Sequence, residues 1–481
     1  MKMLSELLPD IQNLRDVPVT GLADDSRRVG QGCVFLAAPG QIHDARQYIA
    51  DVVSVAAAVI CEPPSPITAD NIIELPDLNS RKGEIAARFY GDPSAGLTTV
   101  AVTGTNGKTS CAHFMSQALT AAGCKAGVMG TLGFGFPGEL RDAGLTTPDA
   151  LECQRQLSAL AEGGAEAVVL EASSHGLAQG RLNGTHIDIA VLTNVTHDHL
   201  DYHETFAEYR RAKRRLFEWQ GLKAAVVNAD DPHGSEFAAA CGRDTQVVWY
   251  STGSQSADVC CRGVSFSMAG MEAEITTPWG DGLLKTPLLG EFNLSNLLAV
   301  VSVLGLLGYE FEQILKTVAG LTNVRGRMDQ ISQPGEALVV IDYAHTPDAL
   351  EKVLQAIRRH CEGELWCVFG CGGNRDADKR PAMGKIASRL ADRVIVTSDN
   401  PRYEHADRII ADIVEGVSAR ERLTVNADRS AAIRFALTHA SAEDVVLIAG
   451  KGHEEYQETE GQRHFFSDHE QVSTFFSTRG V

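Results

Sequence analysis

The chain has 481 residues and a formal net charge of −19 at pH 7. That length exceeds what one hydrophobic core usually serves and predicts about two to four domains. The acidic balance argues against general binding to nucleic acid.

The eleven cysteines include no Cys-x-x-Cys pair, which favours reduced, mostly buried thiols in a cytoplasmic protein. The longest apolar runs lie near Val52–Cys61 and Leu297–Leu307 and have about ten residues, which is short for a membrane span. The start of the chain lacks the apolar stretch of a signal peptide, so secretion is not expected.

Short β-branched runs alternate with amphipathic helical stretches along the chain, a pattern typical of parallel sheets. The pattern predicts an α/β protein of three domains. The first covers residues 1–95 and ends in the turn-rich segment Gly91–Gly96. The second covers residues 96–327 and the third residues 328–481.

The second domain opens with an apolar strand that runs into Gly104-Thr-Asn-Gly-Lys-Thr109 and then into a helix predicted over Ser110–Ala122. Such a turn cradles phosphate, because backbone N–H groups and the positive end of the helix dipole face the anion. Lys108 can then reach the β- and γ-phosphates, and Thr109 can bind Mg²⁺. An ordinary glycine turn is the alternative.

Further strands are predicted over Ala165–Leu170, Ile187–Thr193 and Ala224–Asn228, followed by a more irregular stretch, 246–290, with short strand-like pieces. The first of these strands delivers Glu171 beside the phosphate loop. A carboxylate there can hold Mg²⁺ directly or through water, and a surface glutamate is the alternative.

The segment Thr193–His203 is rich in histidine and aspartate and suggests metal binding. Its spacing does not fit a zinc or two-metal hydrolase of the His-x-His-x-Asp-His type, because Tyr202 separates Asp201 from His203. Such a hydrolase also has no use for an ATP loop. A single histidine ligand to a second Mg²⁺ fits the segment better.

A helix is predicted across Phe206–Phe217, with an apolar stripe that surrounds Lys213. The stripe consists of Phe206, Tyr209, Leu216 and Phe217. Burial would lower the pKa of the Lys213 amine, and an unprotonated amine can react with CO₂ to give a carbamate able to bind metal. A lysine that extends its ammonium to the surface is the other interpretation, and both remain open.

The third domain is predicted to be doubly wound. Its elements are strands Ala337–Ile341, Leu365–Gly370, Arg393–Thr397 and Asp444–Ala449, with helices 347–360, 381–391 and 406–418. Polar segments follow these strands, and open α/β sheets bind ligands at the carboxyl ends of their strands. Each segment alone could be an ordinary turn, but together they predict a ligand site.

At this point the sequence resembles the Mur ligases over essentially its whole length, and within them the enzymes that add meso-diaminopimelate. The loop Gly104–Thr109 has the shortened form of that family, with Val102 in place of the usual first glycine. Asp25–Gly40 is similar to a uridine-nucleotide module of the family. Asp399-Asn-Pro-Arg402 is the most discriminating motif, because lysine-adding relatives differ there.

The resemblance implies a role for each of several residue sets. For ATP the set is Gly104, Thr105, Asn106, Gly107, Lys108, Thr109, Ser110, Asn293, Asn296, Arg327, Asp342 and His345. For UDP-MurNAc-dipeptide it is Asp24, Ser26, Gln41, Ile42, His43, Thr146, Thr147, Ser173, Gln179 and Arg181. For diaminopimelate it is Arg375, Asp399, Asn400, Pro401, Arg402, Gly450 and Glu454. The catalytic residues would be Lys108, Glu171, His199 and Lys213.

The same resemblance implies two Mg²⁺ ions, one held by Thr109 and Glu171 and the other by His199 and carbamylated Lys213. The implied fold has an N-terminal α/β uridine-nucleotide-binding module, a central P-loop-type, mostly parallel ATPase domain and a C-terminal doubly wound, Rossmann-like domain that binds the amino acid. The expected partners are small-molecule substrates, without nucleic acid or membrane, and the chain is expected to be a monomer.

The implied reaction joins meso-diaminopimelate to UDP-MurNAc-L-Ala-D-Glu through an acyl phosphate, in cytoplasmic peptidoglycan precursor synthesis. Three positions depart from the family pattern. Leu145 stands where Asn is frequent, Asn374 where Asp is common, and Tyr403 where a small polar residue is expected.

Four other assignments compete with this one. A lysine-adding member of the family would use a different amino acid. A folylpolyglutamate synthase would lack the N-terminal module, and a MurF-type enzyme would lack Asp-Asn-Pro-Arg. A P-loop switch or motor protein would hydrolyse nucleotide without an amino acid.

Overall fold

The computed structural model describes residues 2–40 and 43–479. The chain divides into two compact units, one made of Met1–Val259 with Ala299–Tyr309 and the other of Cys260–Leu298 with Glu310–Val481. The first unit holds the predicted N-terminal block together with the sheet that carries the phosphate loop. The division into three domains at residues 95 and 327 stays a prediction.

The N-terminal part of the first unit is built on a four-stranded parallel sheet in the order β3-β4-β5-β6. Its elements are β1 (Lys2–Met3), α1 (Leu4–Leu7), β2 (Pro18–Val19), β3 (Gly21–Ala23), β4 (Cys33–Ala37), α2 (Ile49–Val52), β5 (Ala58–Cys61), β6 (Ile72–Glu74) and α3 (Leu78–Tyr90). Strands β4 and β5 are completely buried. Helix α3 ends at Gly91, whose φ of +78° is typical of a helix C-terminus.

The rest of the first unit contains strands in the order β10-β9-β8-β11-β7-β12-β13-β14, of which β8, β11, β7, β12, β13 and β14 run parallel. The elements are β7 (Thr98–Thr103), α4 (Lys108–Ala121), β8 (Ala126–Gly130), β9 (Gly133–Phe136), β10 (Glu139–Arg141), α5 (Ala150–Glu162), β11 (Ala167–Glu171), α6 (Ser174–Ala178), β12 (Ile189–Leu192), α7 (Leu200–His203), α8 (Phe206–Arg214), β13 (Ala224–Asn228), α9 (Gly234–Ala238) and β14 (Gln246–Ser251). The adjacent strands β7, β11 and β12 therefore end at one edge of the sheet, and β7 leads into the phosphate loop there.

The second unit contains a sheet in the order β18-β19-β23-β20-β21-β22, parallel except for β18. The elements that follow β14 in the chain are β15 (Val259–Ser267), β16 (Gly270–Thr277), β17 (Gly280–Thr286), α10 (Glu291–Leu306), α11 (Phe311–Ala319), β18 (Asp329–Ile331), β19 (Leu338–Asp342), α12 (Pro347–Arg358), β20 (Leu365–Phe369), α13 (Lys379–Leu390), β21 (Arg393–Val396), α14 (Ala406–Glu415), β22 (Leu423–Val425), α15 (Arg429–His439), β23 (Val445–Ala449), β24 (Tyr456–Thr459), β25 (Gln462–Phe465) and α16 (Asp468–Arg479). The predicted doubly wound order is confirmed, because helices alternate with strands β19 to β23.

Most predicted element bounds lie within one or two residues of the observed ones, but two predictions need correction. The stretch 246–290 is more regular than expected, since β15, β16 and β17 are antiparallel strands of 9, 8 and 7 residues. Helix α8 ends at Arg214, so Leu216 and Phe217 lie in the turn after it, although both remain buried. Lys213 thus lies in the last turn of the helix.

Buried aliphatic strands form the core of each sheet, and burial of each such side chain contributes about 1.5–3 kcal/mol. Strands β11, β19, β20 and β23 are buried along their whole length, as expected for parallel strands covered on both faces. Within the described residues, no helix is both long enough and apolar enough to cross a membrane.

Candidate active site

The phosphate loop joins β7 to α4 in the arrangement that the sequence predicts. Gly104 has a φ of +151°, and a Cβ there would lie 1.9 Å from Thr193 Oγ1, so only glycine fits. Asn194 supports the loop, because its carbonyl oxygen accepts a 2.7 Å hydrogen bond from Thr105 N and its Oδ1 accepts one of 3.0 Å from Asn106 N. The backbone is thereby fixed before any phosphate binds.

The Lys108 ammonium folds back over this loop. Its Nζ donates hydrogen bonds of 2.9 Å to the carbonyl oxygens of Gly104 and Thr105. Phosphate oxygens carry full charge and would compete well with these neutral acceptors. Ser110 follows Thr109 in the first turn of α4, and both are buried.

Glu171 and Thr109, two of the predicted metal ligands, meet at the carboxyl end of β11. Thr109 Oγ1 donates a 2.9 Å hydrogen bond to Glu171 Oε2, and the Thr131 backbone N–H donates one of 2.8 Å to Oε1. Glu171 is 1% exposed. A hydroxyl and a carboxylate oxygen are ligands that Mg²⁺ prefers, so these residues fit one Mg²⁺ ion.

Lys213 is 1% exposed, which excludes the interpretation of a lysine that extends to the surface. Its Nζ donates a 2.7 Å hydrogen bond to the Gly104 carbonyl and lies 4.6 Å from the centre of the Tyr209 ring. Burial lowers the pKa of the Lys213 amine well below its ordinary value of 10.5, and the nearby Lys108 charge lowers it further.

His199, the remaining predicted metal ligand, is exposed and precedes α7 with a φ of +52°. Its ring centre lies 4.9 Å from that of His175 and 6.3 Å from that of Tyr209. Across residues 2–40 and 43–479, no three His, Cys, Asp or Glu side chains form a group that could hold a metal ion.

A buried imidazole next to this histidine was not among the predicted residues. His203 is 5% exposed, its Nε2 has no hydrogen-bond partner, and burial lowers its pKa to about 4. Its ring lies 5.4 Å from those of His175 and Tyr209. The count of histidines in the segment pointed to this region, but nothing in the spacing singled out His203.

The residues expected to bind the muramoyl dipeptide divide into two groups. Thr146, Thr147, Ser173, Gln179 and Arg181 come together at the end of β11. Thr147 Oγ1 donates to the Glu171 carbonyl at 2.7 Å and accepts from Ser173 N at 3.0 Å. Arg181 donates to the Thr147 carbonyl at 2.7 Å and to Gln179 Oε1 at 2.8 Å.

The second group lies after β3 and β4. Asp24 is half-buried, its carboxylate lies 3.9 Å from Lys82 Nζ, and burial raises its pKa. Ser26 begins a short 3₁₀ turn and His43 is exposed. Gln41 and Ile42 lie outside the described residues.

The second unit carries the other residues expected to contact ATP. Asn293 and Asn296 are buried on α10, where Asn296 Nδ2 donates to Asn293 Oδ1 at 3.2 Å. The Arg327 guanidinium lies 4.8 Å from the centre of the Tyr343 ring, and the centre of the His345 ring lies 4.7 Å from that same Tyr343 ring centre. Asp342 accepts hydrogen bonds from the backbone N–H groups of Met328 and Ala344, both at 2.8 Å.

The residues expected to bind diaminopimelate follow β20, β21 and β23. Asp399, Asn400 and Pro401 are buried after β21, whereas Arg375 is exposed after β20. Glycine is required at position 373, because a Cβ there would lie 2.0 Å from the Pro401 carbonyl oxygen. The loops after β20 and β21 thus approach each other closely.

Arg402 has a φ of +53° and a largely buried side chain. Its Nη1 donates a 2.9 Å hydrogen bond to the Gly373 carbonyl, and its Nε lies 3.7 Å from Glu458 Oε2. The backbone N–H of Arg402 donates to the Glu458 carbonyl at 2.9 Å. The β24–β25 hairpin therefore orients a guanidinium that can bind a carboxylate in two-point fashion.

Two of the three departures from the family pattern have a visible position in the structure. Asn374 has a φ of +51°, and its Oδ1 accepts a 3.0 Å hydrogen bond from Tyr403 N. Asn tolerates this left-handed conformation well. The Tyr403 side chain is 75% exposed and its hydroxyl lies over Gly461. Leu145 is exposed.

Lys451 is the most prominent residue that the sequence did not single out. It is fully buried, and its Nζ lies 3.2 Å from Asp399 Oδ1, 2.9 Å from Asn400 Oδ1 and 3.5 Å from Glu454 Oε2. Asn400 Nδ2 in turn donates to Glu454 Oε2 at 2.8 Å. A cation therefore lies among three of the predicted diaminopimelate-binding residues.

Comparison with known proteins adds a second line of evidence. The family model described as Mur ligase middle domain matches residues 102–304, and that described as Mur ligase, glutamate ligase domain, matches residues 326–452. The chain is 48% identical over 477 residues to the UDP-N-acetylmuramoyl-L-alanyl-D-glutamate–2,6-diaminopimelate ligase of Pseudomonas aeruginosa, covering 98% of this chain and 97% of that protein. The enzyme of the same name from Coxiella burnetii is 45% identical over 483 residues, with 98% and 99% covered.

A solved structure of a UDP-N-acetylmuramoyl-L-alanyl-D-glutamate–2,6-diaminopimelate ligase superposes with a TM-score of 0.79 at 38% identity, covering 100% of this chain and 99% of that chain. MurF from Acinetobacter baumannii superposes with a TM-score of 0.64 at 17% identity, covering 99% of each chain, which shows a shared fold.

Proposed function

The chain belongs to the Mur ligase family, and from that premise we propose that it is the ATP-dependent ligase that adds meso-2,6-diaminopimelate to UDP-MurNAc-L-Ala-D-Glu. The expectation drawn from the sequence motifs is confirmed at the level of family and fold. The observation that carries the choice of amino acid is the set of loops after β20, β21 and β23, where Arg402 contacts the Gly373 carbonyl and where Asp399 and Glu454 both contact Lys451.

In the proposed reaction, the γ-carboxylate of D-Glu attacks the γ-phosphorus of ATP and ADP leaves. The product is an acyl phosphate. An unprotonated amine of diaminopimelate then attacks the acyl carbon, the tetrahedral intermediate expels phosphate, and the amine loses a proton. The net change is one amide bond formed and one ATP cleaved to ADP and phosphate.

The residues of the first unit suit the phosphoryl transfer. Loop N–H groups and Lys108 would bind the β- and γ-phosphates, so that negative charge in the transition state meets fixed positive charge. Thr109 and Glu171 would hold one Mg²⁺, and His199 with carbamylated Lys213 the other. Mg²⁺ supplies charge neutralisation to the transferred phosphoryl group.

Lys213 supports the carbamate proposal through three features. It is buried, its amine pKa is lowered, and it lies against the Gly104 carbonyl at the base of the phosphate loop. An unprotonated amine is the form that reacts with CO₂. The carbamate would reverse the sign of the charge at this position, from a cation that repels Mg²⁺ to an anion that binds it.

The muramoyl dipeptide and diaminopimelate both carry carboxylates, and each would be bound by its own set of residues. Arg181, Thr147 and Ser173 would line the path of the muramoyl dipeptide, with Asp24, Ser26 and residues 41–43 at its uridine end. Arg402 would bind the carboxylate that distinguishes diaminopimelate from lysine, and Arg375, in the loop after β20, would also contact the amino acid. Asp399 and Glu454 would bind ammonium groups.

A cytoplasmic, monomeric enzyme fits this proposal, because its nucleotide-linked substrates are cytoplasmic metabolites. A lysine-adding enzyme is the nearest alternative, and a P-loop nucleotide switch is a more distant one. The two alternatives differ from the proposal in what they require for ATP cleavage.

The test measures phosphate release from ATP with UDP-MurNAc-L-Ala-D-Glu and one amino acid at a time. We expect phosphate release with meso-diaminopimelate, a kcat/KM for lysine lower by about 10²-fold or more, and little release without an amino acid. Equal use of lysine would refute the assignment of diaminopimelate as the amino acid but would leave the assignment as an ATP-dependent ligase intact. Rapid release that ignores the amino acid would favour the switch.

A further inference from the structure

Lys451 lies in a short loop between Gly450 and Gly452, directly after β23. Its side chain is fully buried, which is costly for an ammonium unless charged partners compensate. The partners are Asp399, whose Oδ1 lies 3.2 Å from Nζ, and Glu454, whose Oε2 lies 3.5 Å from it. The lysine is therefore held by two carboxylates rather than by solvent.

Asn400 connects the lysine to one of these carboxylates, that of Glu454. Its Oδ1 accepts a 2.9 Å hydrogen bond from Lys451 Nζ, and its Nδ2 donates one of 2.8 Å to Glu454 Oε2. The backbone N–H of Glu458 also donates to Asn400 Oδ1 at 3.0 Å. Because both the Oδ1 and the Nδ2 of Asn400 make hydrogen bonds, the orientation of its side chain is fixed. The hydrogen bond from Nδ2 in turn fixes the orientation of the Glu454 carboxylate.

We infer that Lys451 is a positioning residue for the incoming diamino acid, holding Asp399, Asn400 and Glu454 in the arrangement that receives its ammonium groups. The inference rests on the proposed function, since it assigns these three residues to that substrate. Two carboxylates that share a small buried space repel each other. The Lys451 ammonium offsets that repulsion and leaves the cluster with one net negative charge, which suits a cationic group of the substrate.

The protonation of Glu454 links this role to pH. Burial raises the pKa of the Glu454 carboxyl, the Lys451 ammonium lowers it, and the Asp399 charge raises it again. The other titratable groups that act on this pair are Arg429, Tyr343, Tyr456, His345 and Cys371. A Lys451 variant leaves these groups unchanged. Loss of the ammonium removes the largest influence that lowers the Glu454 pKa, while burial and the Asp399 charge continue to raise it.

The test replaces Lys451 by Met, which keeps most of the side-chain volume and removes the charge. In the full chain, with the other two substrates saturating in each measurement, we expect the KM for diaminopimelate to rise about 30-fold or more, while the KM for ATP changes by less than about threefold. The acidic limb of kcat/KM for diaminopimelate should move to higher pH, because Glu454 must be ionised to bind an ammonium. A purely structural role would not move this limb.

Leu437→Ala is the matched control, since Leu437 is a buried residue of α15 in the same unit and has no part in the proposed site. It should lower thermal stability without changing the ratio of the two KM values or the pH limb. A double variant of Lys451→Met with Glu454→Gln should lose less diaminopimelate affinity than the product of the two single losses, because the lysine acts in part through that carboxylate.

Three results would overturn the inference. The first is an unchanged KM for diaminopimelate in a folded Lys451→Met protein. The second is a loss shared equally between ATP and diaminopimelate. The third is failure of both Lys451→Met and Lys451→Gln to fold, which would assign the lysine to stability alone. Absence of diaminopimelate-dependent activity in the unmodified protein would instead refute the proposed function.

Discussion

Replacement of Lys213 by Met offers a direct test of the neutral amine on which the carbamate proposal depends. The variant keeps an unbranched apolar side chain in the buried site and loses the hydrogen bond of 2.7 Å to the Gly104 carbonyl. A hydrogen bond of this kind contributes about 0.5–1.5 kcal/mol to the free energy of unfolding. Below pH 10.5 the unmodified protein must also lose the Lys213 proton on folding, a cost that the variant avoids, so we expect the variant to be the more stable protein near neutral pH.

The decisive quantity is how the difference in unfolding free energy between the two proteins changes with pH. The pKa of Lys213 in the folded protein lies well below 10.5, the ordinary value that applies to the unfolded chain. Between these two values the unfolded chain binds a proton that the folded protein does not bind. Stability of the unmodified protein relative to Lys213→Met should therefore rise with pH, by up to about 1.4 kcal/mol per pH unit, and level off above 10.5.

Urea unfolding of both proteins in CO₂-free buffer, at several pH values from neutral upwards, measures this difference directly. Subtraction of the two curves removes the contributions of every group that the proteins share. Parallel curves would show that the Lys213 amine keeps an ordinary pKa and would refute the argument from burial. In the same set, Lys213→Ala should be nearly inactive and partly restored by small carboxylic acids, whereas an active Lys213→Arg would show that a positive charge suffices.

Three further substitutions have expected outcomes that separate the subsites. Lys108→Ala should lower the rate of phosphate release by about 10²–10³-fold without unfolding the protein, because a preorganised cation is lost; unchanged turnover would remove the ATP-site assignment. Glu171→Gln should raise the Mg²⁺ concentration needed for half-maximal rate, measured by titration with Mg²⁺, and an unaltered requirement would contradict its role as a ligand. Arg402→Ala should raise the KM for diaminopimelate by roughly 10²-fold, since a charge-assisted two-point contact is worth about 2–5 kcal/mol, and it should change the KM for ATP much less. Equal changes in the two KM values would argue against Arg402 as the residue that binds the diaminopimelate carboxylate.

The sequence predicts those parts of the fold whose signal is local. Parallel strands such as β11 and β23 are continuous apolar runs ended by polar residues, so their positions and their carboxyl ends can be found without any knowledge of pairing. The antiparallel strands β15 to β17 were harder, because Ser, Thr and Gly interrupt their alternation. Their regularity comes from pairing with one another, which a single sequence does not display.

The same distinction applies to the two buried lysines. Lys213 could be singled out because it falls inside an apolar stripe at helical spacing, and its burial was one of the two interpretations that this pattern left open. Lys451 stands between two glycines, and its partner Asp399 lies 52 positions away in the chain. No local pattern marks a residue whose contacts come from another strand end, so only the folded arrangement reveals it.

These two lysines also show how one residue type serves opposite ends of the proposed reaction. Lys213 Nζ donates to a carbonyl oxygen, an acceptor without formal charge, and burial there favours the unprotonated amine. Lys451 Nζ instead lies within 3.5 Å of a carboxylate oxygen of both Asp399 and Glu454. Burial alone therefore does not determine the chemistry of either residue. Under the proposed function, Lys213 would be the amine that reacts with CO₂ and Lys451 the group that organises an acidic site, and the acceptors nearest to the two side chains differ in the corresponding way.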